Sequence, residues 1–211
     1  LWWNRHAKTA RFSALLVCGM ILACIPWGVR NYRTFDAVFF IRSNLGLELR
    51  MGNHEGASAA MDVMDRTGEH LHPRTHQGEA RKVQALGEVA YMRQAGREAL
   101  SWIGANPGAF LKLTAGRGVH WWCGPLYNPP VALLVTGLTL MALLGIWRSR
   151  AALDAPGRAA ILVPLISYPL IYYLVAYMPR YRQPVDWIYV LLAAAGIWSW
   201  IAGRAAGSQL E

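Results

Sequence analysis

The chain has 211 residues, of which 55% are hydrophobic and only 16% are charged. Soluble domains carry about 25% charged residues, so the composition argues against an ordinary soluble protein. The net charge of +9 suggests nucleic-acid binding at first sight. However, the polar segment Arg30–Asn128 mixes twelve Lys or Arg with nine Asp or Glu, without any block of like charge. We therefore expect no nucleic-acid partner.

Four apolar runs dominate the pattern of the chain, and none contains Lys, Arg, Asp or Glu. They are Ser13–Val29, Val131–Trp147, Ala159–Tyr177 and Trp187–Ile201. A bilayer core needs roughly 17–25 apolar residues per helix, so each run predicts a transmembrane helix. A soluble helix of this length normally has a polar face. We expect a multi-pass, mainly α membrane protein in contact with membrane lipid.

The spacing of these runs predicts four regions. Residues 1–29 form a cytoplasmic flank and the first transmembrane helix, and residues 30–128 form an inserted domain. Residues 129–203 hold three further transmembrane helices, and residues 204–211 form a tail. The predicted fold class is therefore four transmembrane helices with one α+β domain between the first and the second.

Basic residues beside the apolar runs predict which side of the membrane each region occupies. Seven of these Lys and Arg residues lie in short segments next to the apolar runs on one side of the membrane. On the other side, only Arg180 and Arg182 lie in the short loop Met178–Asp186. The seven are Arg5, Lys8, Arg11, Arg148, Arg150, Arg158 and Arg204. The positive-inside rule places these seven in the cytoplasm. Both termini are then cytoplasmic, and the inserted domain and the Met178–Asp186 loop are extracytoplasmic.

Aromatic residues mark the ends of the apolar runs, as expected for a membrane interface. They are Trp27, Trp121, Trp122, Trp147, Tyr177 and Trp187. A cleaved signal peptide is an alternative for the first run, but no small-x-small cleavage site follows it. The chain begins with Leu1 and not Met, which is consistent with a fragment or with a missing natural N-terminus.

Three elements are predicted inside the inserted domain. Ala37–Arg42 and the alternating residues Leu45–Met51 favour a small β-hairpin with a turn at Ser43-Asn44. Glu79–Ala105 has a helical apolar pattern. Asn106 then precedes Pro107 as a helix N-cap precedes a first helical residue, so we expect an amphipathic helix Pro107–Trp122 at the membrane interface.

Histidine and cysteine offer little sign of a metal site. His70, His72 and His76 are close in sequence, but Pro73 interrupts them and they lack the helical spacing of a zinc pair. A solvated loop is the favoured interpretation, with zinc binding as the alternative. Of the three cysteines, Cys18 and Cys24 lie inside the first apolar run, where they act as small apolar residues. No cofactor is indicated.

The loop before the last apolar run is the most distinctive polar feature. Arg180, Tyr181 and Arg182 stand between Pro179 and Pro184, which stiffen the loop. Arginine has a planar fork that suits phosphate oxygens. The alternative is ordinary interfacial anchoring, but positive charge is disfavoured on the non-cytoplasmic side.

A second arginine pair follows the first apolar run. Arg30 and Arg33 lie at the same predicted surface, so they could join Arg180 and Arg182 around one anionic ligand. Asp36 and Asp186 are the nearest acidic residues, and either could orient an arginine. Here the alternative is a generic helix end with anchoring side chains.

Four segments resemble the C-terminal half of bacterial GT-C membrane glycosyltransferases, of the family-39-like, protein-mannosyltransferase and aminoarabinose-transferase type. The segments are Pro26–Tyr32, Ser43–Asn53, Ala99–Leu111 and Arg180–Pro184. The resemblance covers most of Ala23–Ala195 and depends on the order and spacing of these motifs, since none is specific alone. It implies the inner membrane of a bacterium, within the cell envelope.

The resemblance also implies a transferase activity. The donor would be a sugar linked to polyprenyl phosphate, transferred to a glycan, lipid or protein at the extracytoplasmic face. Arg30, Arg33, Arg180, Tyr181 and Arg182 would then bind the lipid phosphate. A metal is possible in this family, although no residues here indicate one. The general base of the family lies in an early extracytoplasmic loop, which this sequence lacks, so the catalytic residue is unknown and we expect the segment alone to be catalytically incomplete.

Two other functions remain open at this point. One is a non-catalytic membrane scaffold or extracytoplasmic sensor with the same architecture. The other is a transporter subunit, which the absence of charged residues from the apolar runs disfavours.

Overall fold

A computed structural model of the chain describes the backbone of residues 2–39, 42–149 and 154–207, and the side chains of residues 10–39, 42–148 and 154–201. Leu1, Arg150 and the last four residues of the predicted tail lie outside the described residues. So do Phe40 and Ile41 of the predicted first strand, and the side chains of Arg5, Lys8 and Arg204.

The described chain is mainly α-helical, as the sequence predicts. The helices are α1 (Trp2–Phe35), α2 (Leu45–Gly52), α3 (Met61–Thr67), α4 (Gln77–Leu86), α5 (Glu88–Ala105), α6 (Pro107–Cys123), α7 (Pro129–Ser149), α8 (Ala155–Ser167), α9 (Pro169–Tyr172) and α10 (Gln183–Gly207), with a 3₁₀ turn at Pro179–Tyr181.

The predicted β-hairpin is wrong, and the inserted domain is not α+β. Leu45–Gly52 forms helix α2, and the described β structure is limited to one isolated bridge between Ala60 and Tyr177. The alternating apolar residues are Leu and Met, which favour helices more than the β-branched residues typical of strands do. In the helix, Leu47 and Met51 are four residues apart and are both buried.

Among the described residues, three helices are long and apolar enough to cross a membrane. They are the segments Ala10–Phe35, Pro129–Arg148 and Gln183–Ile201, which contain three of the four predicted spans. The predicted third span, Ala159–Tyr177, is not one continuous helix. Its hydrogen-bond ladder is interrupted between α8 and α9, where Pro169 has no amide hydrogen to donate, and residues 173–177 lie beyond the end of α9 at Tyr172.

Helices α7 and α10 pack closely through two glycines. A Cβ on Gly145 would overlap the backbone carbonyl of Leu192, and a Cβ on Gly196 would lie 3.0 Å from the amide nitrogen of Gly145. Small residues allow transmembrane helices this kind of close backbone approach. Helix α1 differs, since Leu15 and Leu22 are 72% and 64% exposed.

The helical part of the inserted domain follows the predicted order with two differences. The predicted helix Glu79–Ala105 is divided into α4 and α5 at Gly87, whose φ is +77°. The following helix is confirmed as Pro107–Cys123. Asn106 precedes it, but its side-chain amide donates back to the Trp102 carbonyl at 3.0 Å and does not cap α6.

Two of the predicted interfacial aromatic residues are buried inside the protein. Trp121 is fully buried and Tyr177 is 2% exposed. Trp121 lies in the core formed by α6, α8 and α10, where it packs with Leu165 and Ile188. The face of α6 that carries Trp121 therefore packs against other helices, whereas Trp27, Trp147 and Trp187 are exposed.

A buried ion pair holds α2, α4 and α5 together. Arg50 of α2 bonds to Glu79 of α4, and the Tyr91 hydroxyl of α5 donates to Glu79 at 2.7 Å. Burial alone would raise the pKa of Glu79, but hydrogen bonds from Lys82, Arg50 and Tyr91 lower it to about 2.

The close approach of α7 and α10 at Gly145 predicts that valine has different effects on stability at two glycines of α7. Gly145→Val should lower the free energy of unfolding by about 1–3 kcal/mol, because its side chain would overfill the contact with α10. Gly137→Val is the matched control, since a Cβ there meets nothing within 4 Å. Thermal unfolding of both detergent-purified variants checks this, and equal melting temperatures would contradict the packing described.

The Glu79 network predicts acid sensitivity with a defined direction. The lowered pKa of Glu79 stabilises the fold fully above its ordinary value of 4.5, and this stability is lost as the pH falls toward about 2. The linked free energy is up to about 3 kcal/mol. Glu79→Gln should remove this part of the pH dependence, whereas Glu55→Gln, a change at an exposed loop residue, should keep it. Melting temperatures between pH 2 and 7 measure both.

Candidate functional site

A cavity of about 670 Å³ lies where the end of α1, the inserted domain and the turn before α10 meet. Its basic lining is Arg30, Arg42, Arg74 and Arg180, with His70 and His72. Its acidic lining is Glu48 and Glu88. The remaining wall is largely apolar and includes Phe35, Phe39, Leu47, Met51, Met61, Val83, Met92 and Met178. The volume is within the range of small-molecule sites, about 300–1,000 Å³.

Arg30 enters the cavity wall from the last turns of α1. Its Nη1 donates to Oδ1 of Asn31 at 3.0 Å, and its guanidinium carbon lies 5.3 Å from the centre of the Trp27 ring. Asn31 is buried, and its Nδ2 donates to the Phe39 carbonyl at 3.0 Å. This bond holds the segment after α1 against the helix, so Phe39 lines the cavity beside Arg30 and beside Phe35, the last residue of α1.

Arg180 and Tyr181 enter the cavity from the 3₁₀ turn before α10. Arg180 is exposed, with its guanidinium carbon 5.5 Å from the centre of the Tyr181 ring. Tyr181 stacks on Tyr172 at 4.7 Å, and Tyr172 stacks on Trp121 at 5.3 Å. Aromatic contacts of this kind each add about 0.5–1.5 kcal/mol, so the turn that presents Arg180 rests on a stack of rings.

Arg182 has a different environment, although it is only two residues from Arg180. It is 2% exposed. Its Nη1 donates to the Trp121 carbonyl at 3.0 Å and its Nη2 donates to the Thr139 hydroxyl at 3.1 Å. Its Nε lies 2.8 Å from Oδ1 of Asp186, and its guanidinium carbon lies 4.0 Å from the Tyr189 ring centre. Its hydrogen bonds are therefore directed into the protein.

The structure thus brings together three of the five residues predicted to bind phosphate. Arg30, Arg180 and Tyr181 line the cavity, whereas Arg33 and Arg182 are not among its described lining residues. Arg33 is exposed near the end of α1. The sequence did indicate that Asp186 could orient an arginine, and its partner is Arg182.

Sequence reasoning missed four charged cavity residues: Arg42, Arg74, Glu48 and Glu88. Arg42 precedes α2, and Arg74 lies in the loop before α4, so both are remote in sequence from the motifs around Arg30 and Arg180. Arg42 precedes the segment Ser43–Asn53 and Glu48 lies inside it, and their charges were the only available signal.

The histidines are engaged with neighbouring protein groups. His70 Nδ1 contacts Asp65, His72 Nδ1 accepts from the Arg74 amide at 3.0 Å, and His76 Nδ1 accepts from the Glu79 amide at 3.3 Å. Within the described parts of the chain, no three His, Cys, Asp or Glu side chains come together as metal ligands would.

A buried arginine holds the two walls of the cavity in place. Arg117 of α6 is completely buried and binds the Gly52 carbonyl, the Asn53 side chain and the carbonyls of Tyr173 and Leu174. The last two bonds measure 3.2 and 3.0 Å. Burial lowers the pKa of Arg117 to about 10. The guanidinium therefore joins the end of α2 to the segment that leads to Arg180.

No protein family, curated protein or solved structure matches the chain.

The contrast between Arg180 and Arg182 gives a stability prediction. Arg182→Ala leaves the buried Trp121 carbonyl and Thr139 hydroxyl without their donor and should cost about 1–3 kcal/mol of unfolding free energy. Arg180→Ala, the matched control, should change it by less than about 0.5 kcal/mol, as exposed substitutions do. Thermal unfolding in detergent measures both. Equal losses of unfolding free energy in the two variants would show that the burial of Arg182 does not contribute to stability.

Proposed function

We propose that the chain is part of an integral membrane glycosyltransferase that uses a polyprenyl-phosphate-linked sugar at the extracytoplasmic face. The cavity described above is the site at which the lipid phosphate binds. Arg30, Arg42 and Arg180 hold the phosphate, and Tyr181 lines the site beside them. The proposal joins the family resemblance of the sequence with the character of this cavity.

The observation that carries the proposal is the mixed lining of the cavity. Its four arginines outnumber its two carboxylates, and the rest of the wall is mainly Phe, Met, Leu and Val. A ligand that fits both surfaces has an anionic head and an apolar body. A polyprenyl phosphate has this chemistry, whereas a free sugar or a soluble anion leaves the apolar wall uncovered.

The position of the cavity favours a lipid over a soluble phosphate. Arg30 and Phe35 come from the end of α1, and Arg180 lies just before α10. Both helices are candidate membrane spans. A prenyl chain whose phosphate lies in the cavity can therefore extend along apolar helix surface, where burial contributes about 25 cal/mol per Å².

The arginines also suit the chemistry of transfer. When the bond between the sugar and the phosphate breaks, the phosphate oxygen gains negative charge. Fixed guanidinium groups stabilise such a charge most where they are already positioned before the reaction. A planar fork can hold two phosphate oxygens at once, so Arg42 and Arg180 act on the leaving group.

The direct test is binding of a C55 polyprenyl phosphate to the purified protein in phosphatidylcholine nanodiscs. The double variant R42A/R180A should weaken binding at least about tenfold, because hydrogen bonds to charged groups contribute about 1.5–3 kcal/mol each. The control is R93A/R97A, which removes the same charge from exposed positions of α5.

Two further arms separate the possible outcomes. Inorganic phosphate at millimolar concentration should fail to displace the lipid, because it makes no use of the apolar wall. Displacement would assign the cavity to a soluble phosphate. Equal weakening in the two double variants would reduce the effect to general electrostatics, and no binding by the unchanged protein would refute the proposal.

A further inference from the structure

Glu48 is one of two cavity residues, with Glu88, whose charge opposes the binding of a phosphate. It lies on α2 and lines the cavity together with Arg42 and Arg180. A carboxylate beside a phosphate site weakens anion binding by charge repulsion. Its presence there needs another explanation, such as a hydrogen bond to a different part of the ligand. The bonds of its two oxygens show what kind of group could make that hydrogen bond.

The two oxygens of Glu48 differ in their partners. Oε1 accepts a hydrogen bond from the Asn44 side-chain amide at 3.0 Å. Oε2 is buried, and no described residue donates a hydrogen bond to it. A buried acceptor without a donor costs about 1–3 kcal/mol, more when it is charged, and native proteins seldom leave such groups unexplained. The terminal torsion of glutamate is broad, so a small rotation can turn the uncommitted oxygen toward a ligand.

The charges around Glu48 determine which kind of hydrogen-bond donor can bind to it. Burial raises the pKa of Glu48, against the lowering effect of Arg42 and Arg180. These two arginines already supply positive charge near the carboxylate, and an ammonium group would add a third cation in the same space. A neutral hydroxyl supplies the missing hydrogen without that repulsion.

We propose that Glu48 binds a sugar hydroxyl of the polyprenyl-phosphate-linked donor, next to the arginines that hold its phosphate. This rests on the proposed function, and it adds a sugar-recognising carboxylate to the same cavity. Asn44 acts as a positioning residue, because its side-chain amide donates to the carboxylate. The substrate class is then a polyprenyl phosphate that carries a hydroxylated sugar without an ammonium group.

Glu88 provides a matched control inside the same cavity. It carries the same charge and lines the same wall, but it is exposed and its Oε1 already accepts from the Ser43 hydroxyl at 2.9 Å. Glu88→Gln therefore changes the cavity charge as much as Glu48→Gln does, without removing an uncommitted buried acceptor.

The experiment compares three lipids: polyprenyl phosphate, polyprenyl-phosphomannose and polyprenyl-phosphoglucose. Their affinities are measured for the unchanged protein, E48Q, E48A and E88Q in phosphatidylcholine nanodiscs. The unchanged protein should bind at least one sugar-bearing lipid about tenfold more tightly than the bare lipid. E48A should lose this preference and E48Q should lose most of it, while E88Q should keep it.

The bare lipid separates the failure of the inference from the failure of the proposed function. E48A and E48Q should bind bare polyprenyl phosphate at least as tightly as the unchanged protein, which also shows that both variants are folded. If the unchanged protein binds no lipid phosphate, the proposed function fails. If it binds the lipid but shows no sugar preference, or if E48Q and E88Q behave alike, the role of Glu48 is overturned.

Discussion

The arrangement of the inserted domain depends on one buried cation, the guanidinium of Arg117. Its hydrogen-bond partners among the described residues are neutral oxygens: the Asn53 amide and the carbonyls of Gly52, Tyr173 and Leu174. Burying a charge without a carboxylate partner is expensive, and several well-placed dipoles are the way to offset that cost. Moving any of these oxygens would leave the buried charge with fewer hydrogen bonds. The guanidinium therefore fixes the end of α2 against the chain segment that leads to the turn before α10.

The cavity is a consequence of this fixation. Residues before and along α2 supply Arg42 and Glu48, while the turn before α10 supplies Arg180. Groups that share a ligand are useful only when their separation is constant, because misplacement of catalytic or binding groups by about 1 Å is costly. Arg117 binds neither the cavity nor the proposed ligand. It determines the distance between the two groups of residues that do.

The sequence predicted the parts of this fold that depend on local composition. Charge-free apolar runs identified three long helices, and Asn106-Pro107 correctly marked the start of α6. The β-hairpin failed because Leu45, Leu47, Leu49 and Met51 alternate as in a strand, yet only Leu47 and Met51, four residues apart on the helix, are buried in the core. Arg180 and Arg182 look equivalent in the sequence, and the contacts that distinguish them include Trp121 and Thr139, which are far away along the chain. Likewise, the sequence alone does not reveal that Oε2 of Glu48 is buried without a hydrogen-bond donor.

The burial of Arg182 has a consequence for the order in which the protein is built. Its partners belong to three helices, since Trp121 lies in α6, Thr139 in α7 and Tyr189 in α10. A ribosome delivers α6 and α7 before Arg182 and α10, so the Trp121 carbonyl and the Thr139 hydroxyl must wait for the arginine. The arginine itself enters a low-dielectric environment in which an unpaired charge is unfavourable. Packing of α10 is thereby coupled to that of the earlier helices, and a chain truncated before Arg182 would lack the contact that joins them.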